Sequence, residues 1–173
     1  MNHLLLLRHA KAASPANGQG DHARALNPRG RRAAPAIARY MAANRMTPDL
    51  VLCSDAARTR ETWALVAAEN GWTDVEQRFL KALYLAEAAR ICHVIQREAG
   101  AATTILLVGH NPGIEELAGL LADRDDRDSR RALAAGMDTA TLVALTLPGS
   151  WADLHKGNCT VDSITRPSAL GVE

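Results

Sequence analysis

The stretch Leu4-Leu5-Leu6-Leu7-Arg8-His9 decides how this chain is read. Four consecutive leucines flanked by polar residues make a short buried strand, far too short to cross a membrane. Arg8 and His9 then fall at the strand's carboxyl end, where open α/β sheets bind their ligands. Arg8 supplies a permanent cation, and His9 a nucleophilic side chain that is largely neutral near pH 7. A second run of the same kind, residues 104–108, leads into Gly109-His110-Asn111-Pro112-Gly113. Two buried strands thus each deliver an imidazole to a carboxyl end.

Working outward, further strand-like runs occupy residues 50–53, 75–80 and 141–147, and, less sharply, 159–165. Helical periodicity fills most of the gaps. Residues 32–44 carry apolar side chains at Ala33, Ala34, Ile37, Ala38 and Met41, and Pro35 predicts an irregular first turn or a late start. Residues 55–69 read as a helix capped by Asp55, with Trp63, Val66 and Ala67 on its buried face. Residues 87–99 form a third helix. Asn111 as N-cap and Pro112 at the first position predict a fourth, running to about residue 122. Residues 17–28 read as a long loop, and the charged run 123–131 as a solvated connector. Strands alternating with helices predict one three-layer α/β/α domain spanning residues 1–173, with a mostly parallel sheet of about six strands and no large cap insertion.

Composition narrows the function classes. A net charge of +1 gives no global reason to expect nucleic acid or an anionic membrane as partner. Aromatic residues make up only 3%, which leaves few platforms for stacking bases. Cys53, Cys92 and Cys159 are odd in number and widely spaced, with no pairing that suggests zinc or a redox dithiol. No basic leader followed by an apolar segment is visible at the start, so a cytoplasmic protein is expected, and a monomer is the expected assembly.

Three strand ends converge in this reading. The first brings Arg8 and His9, the second leads through Ser54 and Asp55 to Arg58, and the fourth brings His110. Two guanidinium groups and two imidazoles beside a helix start suit a tetrahedral dianion, above all a phosphoryl group. A neutral His9 can attack phosphorus and form a phosphohistidine that water hydrolyses. Arg8, Arg58 and His110 would then stabilise the equatorial oxygens. No Asp/Glu/His cluster has metal-ligand spacing, so neither a metal nor any other cofactor is expected. Arg60, His3, His22, His93 and His155 read as structural or solvated, and Trp63, Trp72 and Trp151 as packing anchors.

These blocks resemble the histidine phosphatase superfamily, and within it the small SixA-type phosphohistidine phosphatases. The resemblance rests on Leu7-Arg8-His9-Ala10-Lys11, on Asp21 followed by Arg24-Ala25-Leu26-Asn27 and Arg29-Gly30, and on residues 54–62. Leu83-Tyr84, Gly109-His110-Asn111-Pro112 and Trp151 follow in family order. The resemblance implies that His9 is the phosphorylated nucleophile, that Arg8, Arg58 and His110 bind the phosphoryl group, and that no metal takes part. It also implies a phosphohistidine protein of a phosphorelay as substrate, with a phosphomonoesterase of small metabolites and a non-catalytic phosphate-binding module as alternatives. Larger members carry a carboxylic acid after the third strand. Here that region reads Leu83-Tyr84-Leu85-Ala86-Glu87, leaving Glu87 and Asp21 as candidates for a proton donor, and Asp21 also for ordering an arginine.

Overall fold

Alternation along the first strand sets up the two cores. In β1 (Asn2–Arg8), Leu4 and Leu6 point to one face of the sheet, and Leu5 and Leu7 to the other. All four are buried, so both faces must be covered. The computed structural model describes residues 1–172. After β1 come α1 (Pro28–Ala43), β2 (Leu50–Ser54), α2 (Ala57–Asn70), β3 (Glu76–Leu80) and α3 (Ala88–Glu98). β4 (Thr104–Gly109), α4 (Gly113–Leu121), α5 (Arg127–Ala134), β5 (Leu142–Leu147) and β6 (Thr160–Thr165) complete the order.

The sheet runs β3-β2-β4-β1-β5-β6. The first four of these are mutually parallel, and β5 alone runs against its neighbours β1 and β6. Helices α1 and α2 close one face through Ile37, Met41, Trp63 and Val66, packed on Leu5, Leu7, Val51, Leu106 and Val108. On the opposite face, α3, α4 and α5 bring Ile91, Ile95, Ile114, Leu117 and Leu133 onto Leu4, Leu6, Leu52, Ile105 and Leu107. Each fully buried leucine contributes roughly 1.5–3 kcal/mol. The architecture is the expected three-layer α/β arrangement with a mostly parallel sheet. No helix among the described residues is long and apolar enough to cross a membrane.

Four local expectations are corrected. Helix α1 starts at Pro28 rather than near Arg32, because the Asn27 side chain accepts from the Gly30 N–H and Pro28 suits the first position. Pro35 is carried inside the helix, where Ala33, Ala34, Ile37, Ala38 and Met41 anchor the turns on either side of it. Ala56, not Asp55, occupies the N-cap of α2, and the Asp55 carboxylate pairs with His22 at 2.8 Å. Helix α4 begins at Gly113, since the Asn111 side chain donates to Glu115 and to the Met137 carbonyl instead of capping. The charged run 123–131 is not all connector. Asp126 accepts from the Ser129 N–H and starts α5, whose one buried side chain, Leu133, lies beyond the run.

Candidate active site

Register in the sheet places the two histidines side by side. Arg8 of β1 pairs with Gly109 of β4, so the next residues, His9 and His110, leave adjacent strands together. The His9 N–H donates to the Gly109 carbonyl at 3.1 Å, and the ring centroids lie 5.3 Å apart. Arg58, in the first turn of α2, donates from Nε to His9 Nε2 at 3.3 Å. Arg8, His9, Arg58 and His110 all line one hollow of about 330 Å³, together with Lys11, Asp21 and Arg24. The structure therefore brings the four sequence-predicted side chains to one place.

The tautomer of His9 follows from its partners. Nδ1 lies 2.7 Å from the Ala10 carbonyl, which can only accept, so Nδ1 carries the hydrogen. The lone pair is then on Nε2, the nitrogen that accepts from Arg58. Ala10 is itself anchored, because its N–H donates to Thr62 Oγ1 at 3.0 Å and that hydroxyl donates to the Arg58 carbonyl. One turn of α2 thus fixes both Arg58 and the backbone that orients His9.

Burial sets the charge states. His9 is only 8% exposed, and burial pushes its pKa down to about 4. The hydrogen bond to Ala10 opposes that shift, while the Arg58, Arg8 and Arg24 cations reinforce it. His110 is 2% exposed, and burial, then His9 and Arg58, lower it to about 3. Both imidazoles are neutral at ordinary pH. His110 Nε2 shares a 2.7 Å hydrogen bond with the buried Ser54 hydroxyl, and its Nδ1 has no partner among the described residues.

Asp21 shapes the arginine. Its carbonyl accepts from Arg58 Nη1 at 2.9 Å and its carboxylate from Nη2 at 3.1 Å. The Tyr84 hydroxyl donates to the same carboxylate, and Arg24 holds the other oxygen at 2.8 Å. Tyr84 first, then these arginines, hold the Asp21 pKa well below the usual carboxylate range, so Asp21 has no proton to give near neutrality. Of its two candidate roles, ordering an arginine fits this geometry. Glu87 sits exposed at the N-cap of α3 and does not line the hollow.

Several participants escape sequence reading. Met137 accepts from Arg8 Nη1 at 2.8 Å through its carbonyl, and its N–H donates to Glu115, which also holds Asn111. A main-chain carbonyl leaves no trace in residue identity. Ser54 carries no base next to it in sequence, yet it is the partner of His110. Tyr84 stands edge-on to His110, ring centroids 5.4 Å apart. The side chains read as structural fall outside the hollow. His22 pairs with Asp55, Arg60 lies over the Phe79 ring at 4.1 Å, and His93 is exposed. Cys53 is a buried core thiol, raised by burial to about 12. Among the described residues, no group of three or more His, Cys, Asp or Glu is placed to hold a metal ion.

Residues 4–84 match the model of the histidine phosphatase superfamily (branch 1). An uncharacterized protein of Mycobacterium tuberculosis is 36% identical over 153 residues, covering 87% of this chain and 93% of the relative. The solved structure of the "putative phosphohistidine phosphatase SixA" of Nakamurella multipartitia superposes with a TM-score of 0.82 at 30% identity, over 96% of each chain. That of Agrobacterium tumefaciens, with the same designation, gives 0.80 at 29%, over 96% of this chain and 98% of the other. The chain belongs to the histidine phosphatase superfamily, and within it to the SixA type. That membership supports phosphatase activity.

Proposed function

We propose that the protein hydrolyses phosphohistidine on proteins of a phosphorelay, through a phosphohistidine of its own at His9. In the first step the His9 Nε2 lone pair forms a bond to phosphorus as the P–N bond to the substrate imidazole breaks. The departing nitrogen keeps that electron pair. The imidazole leaves neutral because its other ring nitrogen carries a proton. Arg58 Nε releases His9 and turns its N–H to a phosphoryl oxygen, with Arg8 and His110 on the remaining oxygens. The Ala10 carbonyl holds the Nδ1 hydrogen of the phosphorylated ring. Water then attacks phosphorus, the Nε2–P bond breaks toward His9, and both protons of the water leave on orthophosphate.

His110 enters this scheme uncharged. An approaching phosphoryl dianion opposes the cationic causes of its lowered pKa and so favours a hydrogen on the imidazole facing it. Three cations, Arg8, Arg24 and Arg58, stand close enough to depress His9, and the same field attracts the substrate.

One observation carries the choice of substrate. Among the described residues, the only carboxyl group lining the hollow is Asp21, which is held ionised and engaged with Arg58. An alkyl phosphate leaves as a basic alkoxide and needs a proton donor. A phosphoramidate whose imidazole carries its own proton needs none, so a site without a carboxylic acid supports phosphohistidine. The test compares kcat/KM for a histidine-phosphorylated protein with values for a panel of phosphate monoesters. A preference of about a hundredfold or more for phosphohistidine is expected, the scale of help that a missing general acid withholds from an ester. A clear preference for one monoester would overturn the reading.

A further inference from the structure

A second hollow, of about 630 Å³, opens beside the first and shares Arg8, Lys11 and Thr139 with it. Arg29 and Asp138 also line it, so among the described residues three cations face one carboxylate there. Close backbone packing sets the cationic wall. The Asn27 N–H donates to the Lys11 carbonyl at 2.9 Å, and a Cβ at Gly30 would meet that carbonyl oxygen at 2.2 Å. Only glycine permits this approach, which seats Lys11 against the turn of α1 that bears Arg29.

Among the described residues, ion pairs engage two arginines of α1 and leave Arg29 and Arg32 without one. Arg31 and Arg39 on the same helix meet Glu61 and Glu69, at 3.8 and 2.7 Å. Among the described residues, neither Lys11 nor Arg29 belongs to an ion pair. No acidic residue occupies the first turn of α1, where one would be electrostatically favourable. Among the described residues, Lys11 and Arg29 thus bring unpaired positive charge to the second hollow beside Arg8.

The surroundings fit a protein ligand better than a small one. Lys11, Arg29 and Asp138 are exposed, which makes the hollow a surface trough rather than an enclosure that buries most of a small molecule. On the rim of the phosphoryl hollow, Leu85 is 53% exposed and held at φ 49°, a backbone region that L side chains rarely adopt. An exposed leucine in that conformation offers an apolar contact to a partner's surface.

We propose that the trough receives an acidic side chain of the protein substrate, carried close to its phosphohistidine, while the phosphoryl group occupies the neighbouring hollow. The inference rests on the phosphohistidine reading above. Its test uses the whole protein and two peptides of equal length, each phosphorylated on a single histidine, flanked by glutamates in one and glutamines in the other. Wild-type protein is expected to favour the glutamate peptide about fivefold or more in kcat/KM, through KM, with the gap closing as salt is added. Arg29→Glu is expected to lose that preference and to favour a third peptide with lysine flanks.

Equal turnover of the first two peptides by wild type, or a preference that Arg29→Glu leaves untouched, overturns the inference and leaves phosphohistidine as substrate. A compact ester with two anionic groups, hydrolysed in preference to all three peptides, overturns it as well. If none of the phosphohistidine peptides is hydrolysed by a preparation that cleaves a phosphate monoester, the reading and the inference fall together.

Discussion

At the residue scale, the account assigns different kinds of work to Arg58 and Asp21. Arg58 is 2% exposed and contacts both His9 and Asp21, so its guanidinium is preorganised for a phosphoryl group. Arg58→Ala should cost at least about 3 kcal/mol in transition-state stabilisation, read as a loss of kcat/KM of more than about a hundredfold. A loss under tenfold would place Arg58 outside the chemistry. Asp21→Asn should cost less, because the Asp21 carbonyl still accepts from Arg58. Arg8, His9, Arg58 and His110 were legible because each follows a buried strand or opens the helix after one. The carbonyl of Met137, the Ser54 hydroxyl and the Tyr84 hydroxyl were not. Their contribution depends on contacts spanning 129, 56 and 63 positions, which no local pattern encodes.

At the element scale, glycines decide how closely the site's walls approach one another. A Cβ at Gly113, the first residue of α4, would meet the Ala86 carbonyl oxygen at 1.8 Å. Gly113→Ala must therefore push α4 away from the segment that carries Tyr84 and Leu85. Overpacking of this kind costs about 1–3 kcal/mol. A drop in Tm of several degrees is expected with a fall in kcat/KM, and a variant equal to wild type in both would refute the packing argument. Strands and their order of burial were readable because β1 and β4 are continuous apolar runs. Helix ends were less so. Asparagine signals a cap only when its side chain is free, and Asn111 is committed to Glu115 and Met137. Helix α5 hid in a charged run because only Leu133 of its eight residues is buried, too few to show a period.

At the scale of the whole molecule, two buried neutral histidines tie stability to pH. Their folded pKa values, about 4 for His9 and about 3 for His110, lie below that of an unfolded histidine. Between roughly pH 6.5 and those values the unfolded chain binds the additional protons, so stability falls as pH falls through that window. Denaturant unfolding should show this slope, and His9→Asn should flatten it. An unchanged slope would mean that His9 is not held neutral by the fold. The chain, of net charge +1, gathers cations at the carboxyl end of its sheet, where the parallel strands β1, β2 and β4 end together. That convergence is what the assignment of His9 as nucleophile requires, and trapping the covalent species tests it most directly. Protein mixed with a labelled phosphohistidine substrate, quenched in base and mapped by mass spectrometry, should carry acid-labile phosphate on His9 and none after His9→Ala. Label on another residue, or turnover undiminished by His9→Ala, would contradict the account.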